Sequence, residues 1–161
     1  MNKVKQYFIY VLTILVLLGM DQISKNWAIS TLKNGEDFIL INSILHLSYL
    51  ENTGVAFSIL RNHSYLIFIL GICIVAILLW IFFVKTPSDN SAMKLILAIL
   101  IAGAIGNLID RIRYGFVVDF IYFVPIDFPK FNIADVYIVL SSIAFVLLYL
   151  FTDKINFSRD A

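Results

Sequence analysis

Residues 64–84 read SYLIFILGICIVAILLWIFFV, 21 residues without a charge. A helix rises about 1.5 Å per residue, so this run crosses the roughly 30 Å of a bilayer's hydrocarbon unaided. Three other uncharged runs, at 6–20, 95–109 and 136–152, are 15 to 17 residues long. They are too short to span alone and must be completed by residues beyond their charged ends. The spans then fall at about 6–28, 64–84, 92–110 and 135–152, and polar groups are drawn to membrane depth. Composition agrees. The chain is 61% hydrophobic and 14% charged, with a mean hydropathy of +0.92, against about 45–50% and about a quarter in soluble domains. A soluble fold of 161 residues has too much surface to hide so much apolar area. The expectation is a single all-α membrane domain, residues 1–161, with four transmembrane helices.

A net charge of +1 and a pI near 7.8 give no electrostatic footprint for nucleic acid. The one cysteine, Cys73, lies inside an apolar run and has no partner for a disulfide or a thiolate metal cluster. His46 and His63 are isolated and lack a second ligand at helical spacing, so no metal site is expected. Lys3 and Lys5 precede the first run as they would in a signal peptide. No small-residue cleavage site follows and three more spans do, so that run is read as retained.

Four crossings fix which polar residues share a side. Asp21 ends the first span, Asp110 ends the third and Asp135 begins the fourth, so all three lie on one face, in whichever sense the chain is inserted. The long connections, roughly 30–63 and 111–134, emerge on that face. Both termini and the short loop 85–94 share the other. Lys and Arg divide six and six, but Lys3, Lys5, Lys85, Lys94, Lys154 and Arg159 lie in short segments near the spans, where the positive-inside bias acts. Both termini are accordingly placed in the cytoplasm.

Leu45-His46-Leu47-Ser48-Tyr49 alternates apolar and polar residues, and Val117-Val118-Asp119-Phe120-Ile121-Tyr122 is β-branched and aromatic. Both read as short strands, forming a small extracytoplasmic β-sheet on the membrane surface with a flap or short helix on the same face. Tyr49, Phe57, Phe120, Tyr122, Phe123 and Phe128 supply its aromatic side chains. Pro125 and Pro129 break the chain before Asn132-Ile133-Ala134-Asp135 opens the last helix.

Ionisable groups at membrane depth cost several kcal/mol, about 3 each on insertion scales, and are functional suspects by default. Asp21 and Lys25 stand at i,i+4, which a salt bridge at a helix end explains better than catalysis does. Gly103, Asn107 and Arg111, with Gly106 and Asp110 one step round, form either a close-packing seam or a polar cluster. Capping the fourth helix would account for Asp135. Asp119 has no such simple account, because it sits in an apolar stretch with no basic neighbour within five residues. If Asp119 and Asp135 meet at low dielectric they cannot both be charged, and they share a proton. One ionised and one protonated carboxyl can activate water against an amide and protonate the leaving nitrogen.

Five motifs now stand in order: Asp21-Gln22-Ile23-Ser24-Lys25, Asn52-Thr53-Gly54-Val55-Ala56-Phe57, Gly106-Asn107-Leu108-Ile109-Asp110-Arg111, Val118-Asp119-Phe120 and Phe131-Asn132-Ile133-Ala134-Asp135. With these the chain, from about residue 8 to 150, resembles the bacterial lipoprotein signal peptidases, or signal peptidases II. Val55 stands where alanine is common and Ala102 where glycine is common, and neither is a polar position. The resemblance implies an intramembrane aspartic endopeptidase that removes signal peptides from prolipoproteins, cutting just before the diacylglyceryl-modified cysteine. It implies Asp119 and Asp135 as the catalytic pair. Asn52, Asn107, Arg111 and Asn132 would bind substrate or order the site, with Gly54 and Ala134 small where substrate passes. Asp21, Lys25 and Asp110 would hold the architecture. It further implies no metal or organic cofactor, inhibition by globomycin-type cyclic peptides, contact with membrane lipids, and a monomer in the bacterial cytoplasmic membrane with its site towards the outer leaflet. Two rivals from other classes remain, a proton-coupled channel or carrier and a non-enzymatic assembly factor. Four short helices leave the carrier little room, and there is no inverted repeat.

Overall fold

The structure, a computed structural model, describes residues 2–54, 64–87 and 90–151. The described elements run α1 (Lys3–Leu32), β1 (Phe38–Ile41), β2 (Leu45–Asn52), α2 (Ser64–Trp80, continued by a π-helical turn at Ile81–Lys85), α3 (Ser91–Tyr114), β3 (Val117–Phe123), a 3-10 turn (Val124–Ile126) and α4 (Ile133–Phe151). The four long helices are long and apolar enough to cross a membrane. The expected Val55 and Phe57 of the second motif lie outside the described residues.

Local chemistry sets the helix ends. Asn2 accepts the Val4 amide at 3.2 Å and Asn90 accepts that of Met93 at 3.1 Å, each satisfying a donor that the first turn leaves free. α3 stops where Gly115 takes φ +79°, and its N–H returns to the Arg111 carbonyl. Arg111 and Arg113 in that last turn face the negative end of the helix dipole.

α3 is the central helix, packed against α1, α2 and α4. Small residues let the backbones close. A Cβ on Gly103 would lie 2.6 Å from the Ala134 carbonyl oxygen, and one on Gly106 would lie 2.5 Å from an Asp21 carboxylate oxygen. One apolar core (Tyr10, Phe82, Met93, Leu97, Ala98 and Ile101) sits at the end carrying the N-terminus. A second, of Ala28, Leu32, Val118 and Phe120, joins the last turns of α1 to the sheet. The outward faces of α1 and α4, including Phe8, Leu15, Ile23, Leu140, Ile143 and Leu150, are exposed and apolar, as a lipid solvent requires.

The sheet is antiparallel in the order β1-β2-β3, and Phe131 adds an isolated bridge to Ile121 on the free edge of β3. It lies at the same end of the helices as Asp21, Asp110 and Asp135, because α1 and α3 run directly into it.

Two expectations need correcting. α4 begins at Ile133, so Asp135 is in its first turn rather than at its cap, and Asn132 holds the capping position. Lys94 belongs to α3, not to a loop, and is fully buried. Its Nζ donates at 2.6 Å to the Phe82 carbonyl, in the π-helical turn, and sits 5.0 and 4.6 Å from the Tyr7 and Phe82 ring centroids. A π turn leaves carbonyls off the regular ladder, and the ammonium takes one of them.

Candidate active site

Asp119 is central. β3 presents it to the helix ends with only 1% of its surface exposed. Its Oδ2 accepts from Asn52 Nδ2 at 2.8 Å and its Oδ1 from Asn132 Nδ2 at 2.7 Å. Both amides are themselves oriented. Asn52 Oδ1 accepts the Gly54 amide at 3.0 Å, and Asn132 Oδ1 accepts the Asp135 amide at 3.0 Å.

Asp135 reciprocates. Its Oδ2 accepts the Asn132 backbone N–H at 3.1 Å, closing a capping box in which cap and first-turn residue each satisfy the other. Its Oδ1 accepts from Asn107 Nδ2 at 2.8 Å. Asn107 Oδ1 in turn accepts from Asn132 Nδ2 at 3.2 Å and from Lys25 Nζ at 3.0 Å. The two carboxylates are thus linked through two asparagine amides. The Lys25 ammonium admits only an oxygen beside it, so the orientation of the Asn107 amide is set by chemistry.

Beneath this pair lies a buried ionic support. Lys25 Nζ reaches Asp21 Oδ2 at 3.0 Å and Asp110 Oδ2 at 3.1 Å; with Asn107 its three N–H groups are all used. Asp21 also accepts the Ala134 amide at 3.0 Å and Asp110 that of Val118 at 3.1 Å. One cluster therefore ties α1 to α3, to the first turn of α4 and to the start of β3. Arg111 is half-buried beside it, donating at 3.4 Å to the Gly54 carbonyl and at 3.4 Å to that of Asn107.

Burial pushes the Asp119 carboxyl up to about 7, and the nearby charge of Asp135 adds to the rise. The Asn52 and Asn132 amides and the Lys25 charge pull the other way without cancelling it. A group of this kind holds a proton near neutral pH, which suits it to acid–base work.

All eleven residues singled out in the sequence fall in this one network. Ala134 is buried between α1 and α3 and holds its amide on Asp21, so its small size has a packing cause here. Sequence reasoning gave no role to Gln22, whose Nε2 donates to Asp110 Oδ1 at 3.0 Å and to Asp21 Oδ2 at 3.2 Å. Its place beside Asp21 in the first motif was the available signal. Nor did it single out Ser48 or Lys130, joined at 2.6 Å, for which the sequence carries no signal. Among the described residues no group of three or more His, Cys, Asp or Glu is placed to hold a metal ion.

The chain is 43% identical over 146 residues to the lipoprotein signal peptidase of Clostridium tetani, covering 87% of this chain and 92% of that one. With that of Clostridioides difficile it shares 37% over 146 residues, covering 91% and 97%. Its fold matches a bacterial membrane enzyme solved by the in meso method at 2.3 Å resolution, with a TM-score of 0.83 and 31% identity over 95% of this chain and 94% of the other. Residues 13–151 match the family described as Signal peptidase (SPase) II, which sets the carrier and assembly-factor readings aside. A multi-pass helical scaffold with its carboxylates gathered at one end, matched to these relatives along nearly its whole length, belongs to the signal peptidase II family.

Proposed function

We propose that this membrane peptidase is an aspartic endopeptidase that removes signal peptides from prolipoproteins, cutting just before the diacylglyceryl-modified cysteine. The observation that carries the reading is the buried Asp119, held on both oxygens by side-chain amides and linked through them to Asp135. Asp119 starts as the protonated member, since burial favours its neutral form. Asp135, in the first turn of α4 and held by the Asn107 side-chain amide and the Asn132 backbone N–H, takes a proton from water as the water attacks the scissile carbonyl. Asp119 supplies the proton for the leaving nitrogen. Arg111 and the asparagines meet the extended peptide backbone, and cyclic peptides of the globomycin type would present a non-cleavable hydroxyl to the same pair.

The enzyme works as a monomer, with termini in the cytoplasm and the site at the outer leaflet. The substrate's lipid holds the scissile bond at the depth of the carboxyls, so binding energy remote from the bond is used for orientation. A synthetic precursor peptide bearing diacylglycerol, cleaved in detergent micelles, tests this directly. The unlipidated peptide should show kcat/KM lower by about a hundredfold or more. Equal values for the two peptides would refute the reading.

A pH limb follows. The charged groups facing Asp119 are Asp135, Lys25 and Arg111, and the dyad is competent only while it keeps one proton. As pH rises through about 7 that proton is lost, so kcat/KM should fall by about tenfold per unit above it. A profile measured from pH 6 to 9 that stays flat would count against an acid role for Asp119.

A further inference from the structure

The ladder between β2 and β3 changes register along its length. Leu45, His46 and Leu47 stand opposite Phe123, Tyr122 and Ile121, whereas Leu50, Glu51 and Asn52 stand opposite Asp119, Val118 and Val117. Ser48 and Tyr49 therefore oppose Phe120 alone, and β2 carries one extra residue as a bulge. Side chains alternate between the faces of a strand, so one extra residue reverses the facing of everything beyond it. In an unbroken ladder Tyr49 would stand opposite Asp119 and Asn52 would point to the other face. The bulge is what brings Asn52 within 2.8 Å of Asp119.

Ser48, on that bulge, is buried, and its Oγ accepts from Lys130 Nζ at 2.6 Å. Lys130 belongs to the segment on the far edge of β3, where Phe131 exchanges backbone bonds of 3.0 and 2.9 Å with Ile121. Its side chain thus crosses β3, with Nζ 5.7 Å from the Tyr122 ring centroid, to reach β2. Two residues further on is Asn132, the other donor to Asp119. A solvated surface lysine has no reason to cross a strand and end on a buried hydroxyl.

We propose that Lys130 and Ser48 form a positioning clasp for the catalytic pair, one charge-assisted bond setting the bulge that aims Asn52 and the segment that aims Asn132. The inference rests on the reading of Asp119 as a catalytic group. Neither Lys130 nor Ser48 touches that carboxyl. They act through the two amides, so that both donors move together or not at all.

The test uses the full chain in detergent micelles, with Lys130→Met, Ser48→Ala, the double variant and Lys130→Arg. Amide hydrogen exchange without substrate should quicken in both residues 49–52 and residues 131–134 for either single variant. The double variant should add nothing further, and Lys130→Arg, which keeps a donor to the hydroxyl, should restore protection. On a lipidated precursor each single variant should lower kcat by about tenfold with KM within about twofold, and Lys130→Arg should recover most of the loss. Exchange that quickens in only one segment, single losses that multiply in the double variant, or an unchanged kcat would each overturn the clasp. Should Asp119→Asn cleave normally, the dyad reading fails on its own, while the exchange pattern still decides whether the clasp joins the two segments.

Discussion

Asp119→Asn is expected to lower kcat on a lipidated precursor by at least about a thousandfold, and Asp135→Asn by a similar factor, in a protein that still folds and binds substrate. Groups acting as a unit in one chemical step lose nearly everything when either is removed, and only positioning survives. Folding survives because the change is isosteric. An asparagine at 119 keeps one acceptor for the Asn52 and Asn132 amides and forfeits the other, at about 1–3 kcal/mol for the unpaired donor. At 135 the same holds for the bonds from Asn107 and the Asn132 backbone. Cleavage followed by mass spectrometry, with binding of a non-cleavable peptide as the control, provides the measurement. Either variant turning over within about tenfold of the unmodified enzyme would remove that residue from the chemistry.

Lys25→Met should be the most damaging single change to stability, at about 3–5 kcal/mol. The ammonium is almost fully buried and uses all its protons on Asp21, Asp110 and Asn107. Methionine fills the volume but leaves two carboxylates without their cation in a dry environment. The damage reaches the site, since the Ala134 amide rests on Asp21 and the Val118 amide on Asp110. Chemical denaturation in micelles measures the loss. The triple variant Lys25→Met with Asp21→Asn and Asp110→Asn should recover part of it, because neutral amides carry no charge to strand. A loss below about 1 kcal/mol for Lys25→Met alone would show that water reaches the cluster.

Much of the site was legible because membrane depth makes polarity expensive. Asp21, Asp110 and Asp135 interrupt apolar runs, and the number of crossings between them places all three on one face. Asp21 and Asp110 meet at Lys25, and Asp135 joins them through Asn107, in agreement with that count. Lys94 obeys the same physics, yet position at the edge of an apolar run does not distinguish a loop cation from one buried over Tyr7 and Phe82.

By itself, then, the chain's pattern of apolar length and polar interruption determined four crossings, the shared face of the carboxylates and the strand character of 117–122. The crossings and the shared face follow from the cost of exposing backbone or charge to hydrocarbon, and the strand from β-branched and aromatic side chains that suit a pleated surface. Only the tertiary structure decided how Asp119 is held. Its two amide donors come from segments eighty residues apart in sequence, Asn52 and Asn132. One of them faces it only because a bulge at Ser48 shifts the ladder by a single residue. Local propensity is blind to a register shift. The shift is accompanied by a bond from Lys130 across an intervening strand to Ser48, a contact between distant residues that only the folded chain brings together.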